Sequence, residues 1–488
     1  MNKSHLLHSI RWTLITSVLR RVLTLALFFF IAAWLSKEDL GTFREYNLLI
    51  AFAAGIASLS VENLYIINRR HPLTNLAFLW QVTILAAIGL TILFALASSG
   101  LGSLYKSREL AGLLLFTSAF AGVEMLRKSV RAMAQNKHQF IALAWAETAN
   151  VIFYSVLSVI GLYFYRKLWL FVVIFYLGNV LETWILARLN LPDLRLSLRQ
   201  ALRKRRICLA GLYWKWHGKF LAQATLVTLF NQLAGNAPIL ILGMLVQPVW
   251  MGVFFFASQL LGVPVGMFTS ALNQVLYPVF AKERDEAIRT ASIRYMRLAG
   301  LVGMPLLVIY TYLLGIGVRL VFGGKWDDAI PLLPVMLVLY GSFLYSTPLG
   351  GIPFIKQKPN WELNWNIISV LSRVLAMLLG MRFSFPVAVL AFSIVAALTN
   401  VSFFLMCLHL LRLRICNTLG HLLLSLLPVA VYLLAFILLP AKIWTQLHYL
   451  PVCLSGFFIV YLVVLPFIGK QLKSDVLVLL KPDSARLS

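Results

Sequence analysis

Apolar stretches of about twenty residues, each long enough to cross a hydrocarbon core of roughly 30 Å as a helix, recur from one end of this sequence to the other. That recurrence decides the fold class before any motif is read. With 60% hydrophobic and 12% charged residues over 488 positions, a water-soluble fold would be left with far too much apolar surface, whereas lipid accepts it. Fourteen windows qualify, beginning near Trp12, Arg44, Leu76, Leu110, Phe140, Leu168, Lys219, Val249, Leu298, Ala329, Leu363, Phe385, His421 and Leu450. The expectation is an all-α integral membrane protein of 14 transmembrane helices. The polar start "MNKSHLLHSI" and the lack of a small-residue cleavage site mark the first span as retained, not as a removable signal peptide.

The net charge of +26 is a matter of location. With both termini placed in the cytoplasm, Lys and Arg favour the inner connections roughly three to one, as the positive-inside rule requires. Examples are Arg69 with Arg70, the run "RKRR" at 203–206, and Arg412 with Arg414. Nucleic acid is therefore not expected as a partner. The outer connections "SKEDLG", "QPVW" and "GGKWDD" are too short to carry a catalytic domain, so an enzyme is not expected. Cys208, Cys407, Cys416 and Cys453 show no CxxC spacing, and the eight histidines have no ligand spacing, so neither a metal nor a cofactor is expected.

A repeat organises the first twelve spans. "FFFIAAWLSKEDLGTF" (28–43) and "PILILGMLVQPVWMGVF" (238–254) share an apolar span end, a short turn and G-x-F, which aligns Gly41 and Phe43 with Gly252 and Phe254 at an offset of 211 residues. The same offset sets Glu62 on Asn273, and Arg20 and Arg21 on Asn231 and Gln232. An even number of spans separates the copies, so the repeat is parallel, with its axis along the membrane normal. The expected organisation is a six-helix bundle at 1–190, a basic amphipathic linker at 191–218, a second six-helix bundle at 219–411, and two further helices with a cytoplasmic tail at 412–488. In the linker, Leu194, Leu198 and Leu202 share one face, suited to the inner leaflet.

Charges inside the spans are the candidate functional residues. An Arg at a helix centre costs about 2.5–3.5 kcal/mol on insertion scales, and the apolar residues of 12–35 return about 4–8 kcal/mol in total, so Arg20 and Arg21 leave the first span near break-even. Thr13, Ser17, Arg20 and Thr24 follow a 4-3-4 spacing on one face. Thr225, Thr228, Gln232 and Asn236 form a like stripe on the seventh span. A water-filled cavity lined by both stripes is the favoured reading over snorkelling, because Arg20 lies about 12 Å along the helix from Trp12. Arg373, Arg127 and Arg131 are further candidates for such a cavity, with positive-inside bias the alternative for Arg127 and Arg131. Glu124 and Lys128 are spaced for an i,i+4 ion pair. Arginine forks suit an anionic, phosphate-bearing ligand. Glu62, Glu124 and Glu147 are candidates for H+ or Na+ coupling, or else counter-ions for neighbouring arginines; Glu182 is a fourth carboxylate within spans.

The ordered set "AAWLSKEDLGTF" (32–43), "SLSVENLYIINRR" (58–70), "RKSVRAMAQNKHQF" (127–140), "NQLAGNAPILILGMLVQPVWMGVFFFASQL" (231–260), "LNQVLYPVFAKE" (272–283) and "LVFGGKWDDAIPLL" (320–333) resembles the oligosaccharide flippases. These are the Wzx-type polysaccharide transport family of the multidrug/oligosaccharidyl-lipid/polysaccharide exporter superfamily. The resemblance implies two pseudo-symmetric six-helix bundles in a V that alternates between inward and outward openings. It also implies a multi-pass protein of the bacterial inner membrane that moves polyprenyl-diphosphate-linked oligosaccharide to the periplasmic leaflet. The ligand is then lipid-linked oligosaccharide, the surroundings are membrane lipids, and a polysaccharide polymerase and a chain-length regulator are the protein partners. Within that setting the cavity residues are Arg20, Arg21, Arg127, Arg131, Asn231, Gln232, Asn236 and Arg373. The sequence departs from the family pattern at "VENL" (61–64), where smaller residues are common. Lipid II transport and drug/cation antiport remain as alternatives.

Overall fold

The computed structural model of the chain describes residues 3–67, 72–137, 139–190, 204–282, 285–356 and 358–412. The helices expected to begin near His421 and Leu450, the cytoplasmic tail, Arg69, Arg70, the 191–203 part of the linker and the side chain of Asn231 lie outside these described residues.

The described chain is helical almost throughout, and the twelve spans expected up to residue 410 are met in order by helical segments. They are α1 (Lys3–Trp34), α2 (Lys37–Ala57) continued by the short α3 (Val61–Ile67), α4 (Pro72–Leu104), α5 (Arg108–Asn136), α6 (Phe140–Tyr165) and α7 (Leu168–Leu189). There follow α8 (Lys204–Leu245), α9 (Pro248–Lys282), α10 (Asp285–Leu298), α11 (Met304–Phe322), α12 (Leu332–Ser346), α13 (Ile352–Ile355), α14 (Pro359–Met381) and α15 (Phe385–Leu410). A π turn, Ala299–Gly303, joins α10 to α11. Among the described residues, nine helices are long and apolar enough to cross a membrane, or ten if α8 is included as one bent span. Many of their apolar side chains face outward, Leu96 at 78% and Leu85 at 69% exposed, as lipid contact requires.

Two differences from the expected boundaries have local causes. The helix that carries the seventh span starts well ahead of Lys219 and runs unbroken from Lys204, because the basic linker sequence has ample helix formers and nothing to stop it. That helix bends by 47° between Phe230 and Gln232, about two turns ahead of Pro238, whose missing N–H and bulky ring weaken the ladder upstream. The second span breaks at Leu59 and Ser60, both left-handed with φ of 49° and 52°, which restarts the helix as α3.

The short connections at one end of the helices are fixed by capping. Ser36 and Asp39 form a reciprocal capping box at the start of α2, each backbone N–H meeting the other's side chain at 3.0 Å. Ser107 caps α5 through the Leu110 N–H at 3.2 Å, and Ser384 caps α15.

Contacts divide the chain into a first compact unit ending at Phe255 and a second beginning at Phe256. In the first, α1 packs on α6, α4 on α5, α5 on α7, α6 on α7, and α8 on α2 and α4. Its core holds Trp80, Tyr46, Tyr105 and Met133, each wholly enclosed. In the second, α15 packs on α12 and α14, and Trp326 from the "GGKWDD" turn stacks on Phe256 with centroids 4.2 Å apart. In lipid these helices associate by close packing and by polar bonds between them, not by escape from water. The polar bonds therefore locate the candidate site.

Candidate functional site

Four helices of the first unit bring six charged side chains into one ladder. Arg20 of α1 pairs with Glu147 of α6. Glu147 also meets Arg131 of α5 at 3.5 Å. Arg131 Nε donates to Glu182 Oε1 of α7 at 2.5 Å. Glu182 lies 3.6 Å from Arg127 Nη1, and Arg127 Nη2 donates to both oxygens of Glu124, at 2.8 and 2.9 Å. The order is Arg20, Glu147, Arg131, Glu182, Arg127, Glu124, so cation and anion alternate along the whole run.

Helix geometry explains the assembly. Glu124, Arg127 and Arg131 are spaced by 3 and 4 and share a face of α5, which turns towards α7 and α6. Glu182 is the hinge of the ladder: its side chain is fully buried, and it accepts a third bond from Asn150 Nδ2 at 2.8 Å. Asn150 in turn reaches Asn179 Oδ1 at 3.3 Å. Arg20, Arg131 and Glu147 keep 18%, 32% and 19% of their side-chain surface accessible, and Arg127 and Glu124 keep 18% and 15%, so both ends of the ladder are partly open and only Glu182 between them is closed.

Arg20, Arg127, Arg131, Glu124 and Glu147 belong to the ladder. Glu124 takes Arg127 as its partner, not the Lys128 that its spacing suggested; Lys128 Nζ instead donates to the Ala54 carbonyl of α2 at 2.8 Å. Arg21 is half-buried beside Arg20. Glu62, at the start of α3, lies within electrostatic reach of Lys128. The polar stripe of α8 turns to α2 and α3, not to α1. The Gln232 amide lies against Gly55, where a Cβ would come within 2.9 Å of it, and Thr228 Oγ1 lies 3.4 Å from Ser60 Oγ. Asn236 accepts from Arg44 Nη2 at 3.5 Å and donates to the Gln232 carbonyl at 3.1 Å.

Arg373 stands in the second unit, on α14, with 5% exposure. Its Nε and Nη2 donate to Thr399 Oγ1 at 3.0 and 2.8 Å, and Nη2 also donates to Asn400 Oδ1 at 2.7 Å. Asn400 is itself tied to Ser342 of α12 at 2.8 Å. Arg373 thus joins α14, α15 and α12.

Three participants escaped the sequence reading: Asn150, Asn179 and Glu45. The two asparagines are single polar residues in apolar helices, without periodic signal. Glu45 sits beside Arg44, where the second span was taken to begin, and so resembled a solvated flank. Among the described residues, no group of three or more His, Cys, Asp or Glu side chains is placed to hold a metal ion.

Chemically, the ladder offers planar, forked donors whose present anionic partners are side chains. An incoming phosphate presents the same oxygen geometry as a carboxylate, with more charge. Arg131, the most accessible of the three arginines, is where such an exchange of anions is easiest.

Comparison with known proteins places the chain in a family and matches its fold. The family described as "Polysaccharide biosynthesis protein" matches residues 30–331. The "Lipopolysaccharide biosynthesis protein WzxC" of Escherichia coli (strain K12) is 21% identical over 404 residues, 81% of this chain and 80% of that one. The "Teichuronic acid biosynthesis protein TuaB" of Bacillus subtilis (strain 168) is 22% identical over 307 residues, 60% of this chain and 59% of its own length. Among solved structures, the lipid II flippase MurJ in an inward closed conformation aligns with a TM-score of 0.70 at 13% identity, covering 95% of this chain and 99% of that one. An inward-facing multidrug resistance transporter of the MATE family aligns with a TM-score of 0.61 at 15% identity, covering 80% and 94%. Those two likenesses show a shared fold.

Proposed function

The chain belongs to the polysaccharide biosynthesis protein family, and from that premise we propose that it is a flippase for polyprenyl-diphosphate-linked oligosaccharide, carrying units of O-antigen, capsule or exopolysaccharide from the cytoplasmic to the periplasmic leaflet by alternating access. The observation that carries the proposal is the arginine ladder. Three guanidiniums held at membrane depth by exchangeable carboxylates form a site that a diphosphate can enter without leaving a buried charge unpaired. Entry of the diphosphate releases Glu147 from Arg20 and Arg131, and departure of the product restores the pairing. The released carboxylate is then free to take up H+ or Na+, which would couple the cycle to an ion gradient.

The proposed topology has fourteen spans with both termini in the cytoplasm. Its parallel repeat gains support from a reciprocal contact. A Cβ on Gly41 would run into the Pro248 carbonyl, and a Cβ on Gly252 would run into the Lys37 carbonyl. Lys37 and Pro248 are separated by the same 211 residues as Gly41 and Gly252, as two copies related by a two-fold axis require. A polymerase and a chain-length regulator would receive the flipped units.

The test is genetic and direct. In a strain lacking the gene, Arg20→Ala, Arg21→Ala and the double substitution are expected to insert normally and to leave the surface without polymer. Full surface polymer in the double variant would remove the cavity assignment. Lipid II transport is the second reading, favoured by the fold likeness to MurJ; essentiality of the gene for growth would select it, and viable loss with altered surface glycan would exclude it.

A further inference from the structure

Glu45 of α2 is 1% exposed, and neither of its carboxylate oxygens has a hydrogen-bond partner among the described residues. Three polar neighbours on the same helix bond elsewhere. Thr42 meets Ser107 at 3.4 Å, Arg44 meets Asn236 at 3.5 Å, and the Tyr46 hydroxyl lies 2.6 Å from Thr117 and 3.1 Å from Tyr176. Gly243 and the ring of Tyr105 lie against Glu45. A Cβ built on Gly243 of α8 would fall 2.9 Å from Glu45 Oε1 and 2.9 Å from the ring edge of Tyr105, so the bare Cα of Gly243 and the Tyr105 ring close over the carboxyl group. The Tyr105 hydroxyl is likewise buried without a partner.

An ionised carboxylate in this position would be a buried charge with no hydrogen bond, which proteins avoid by neutralising the group. A bare metal cation would need a cage of several oxygens, and an aromatic edge and a glycine do not supply one. A proton needs only the carboxyl group itself. We propose that Glu45 is a proton-binding site whose occupancy locks the contact between α2 and α8.

The charged and titratable surroundings are few. On α2 the neighbours are Arg44 and Tyr46, and the α4–α5 turn contributes Tyr105. At the start of α5 stands Glu109, within reach of Glu38 and Asp39. Tyr176 comes from α7, bound to Tyr46. The faces of α4 from Leu76 to Leu104, of α8 from Phe220 to Leu245 and of α9 from Pro248 to Phe255 carry no titratable residue. One turn from Glu45, Gly41 makes its close approach to the Pro248 carbonyl, so carboxyl and glycine contact act on the same end of α2. While Gly243 covers it, Glu45 keeps its proton. When α8 separates from α2, water reaches the group, its O–H bond breaks, and the proton passes to water. The ionised form then opposes re-closure until a proton returns. The site rests on the transport reading only for what the proton drives.

The experiment measures distances between spin labels at Ala51→Cys and Leu245→Cys, in the full chain with its native cysteines replaced, reconstituted in liposomes and without any added substrate. The expected result is a short distance at low pH and a growing long-distance population as pH rises. Glu45→Gln, the neutral isostere, should hold the short distance at every pH, while Glu45→Asp keeps the response. A Glu45→Gln protein that responds to pH like the parent, or a parent that does not respond, overturns the proposal. So does a shift that follows replacement of sodium by choline at fixed pH. A protein that shifts with pH as expected yet supports no surface polymer in the cell preserves the proton site and overturns the flippase reading.

Discussion

Two arginine clusters, a partly accessible one in the first unit and a buried one in the second, are built on opposite principles. In the first unit, Arg20, Arg127 and Arg131 alternate with Glu147, Glu182 and Glu124. In the second, Arg373 is held by the hydroxyl of Thr399 and the amide oxygen of Asn400, which leads on to Ser342. The difference teaches what each can be used for. A guanidinium paired with a carboxylate can trade one anion for another, since the exchange keeps the charge balance. A guanidinium fixed by neutral oxygens serves as a cross-link between helices, and its bonds have value only while they stay closed.

The largest expected effect comes from the buried hinge of the ladder. Glu182→Ala leaves Arg127, Arg131 and Asn150 without their common acceptor and should cost about 3–5 kcal/mol, read as a large fall in unfolding midpoint in detergent. Glu182→Gln should destabilise less while still abolishing polymer export. An unchanged midpoint for Glu182→Ala would break the ladder description. Next in size, Arg373→Met should cost about 1–3 kcal/mol through the unsatisfied Thr399 and Asn400. Export should fall only as far as protein abundance does, and export loss at full abundance would erase the contrast between the clusters. Arg131→Lys keeps the charge but loses the fork; export should fall at least about tenfold with a midpoint near that of the parent. Smallest is the cap: Ser36→Ala should cost about 1 kcal/mol, visible in the unfolding midpoint and not in export.

Much of the helical order was legible in the sequence, because span length and hydropathy are local properties. The helices expected near Phe140, Leu168 and Phe385 begin at those residues. The basic stretch ahead of the seventh span, expected as an amphipathic helix, is helical from Lys204 and runs on into α8 without a break. The candidate site was legible as a set of residues and not as a set of bonds. Arg20 is conspicuous by its depth in an apolar span, and Arg127 and Arg131 by sharing one helix face near the inner end of theirs. Pairing Arg20 with Glu147 and Arg131 with Glu182 depends on how α1, α5, α6 and α7 are rotated against one another, which no single helix encodes. Spacing favoured Lys128 for Glu124, whereas the fold gives Lys128 the Ala54 carbonyl and leaves Arg127 to the carboxylate. Glu45 was hidden for the opposite reason: its burial arises from Gly243, nearly two hundred residues away.

The central claim is that the ladder, and not the Arg373 cluster, receives the diphosphate. Titration of the purified full chain with a polyprenyl diphosphate tests it most directly, by comparing the parent with Arg20→Gln, Arg131→Gln and Arg373→Gln. The account predicts at least about tenfold weaker binding for the first two, as loss of a charge-assisted bond implies, and parental affinity for any Arg373→Gln protein that folds. Parental binding by Arg20→Gln and Arg131→Gln, with loss in folded Arg373→Gln, would contradict it.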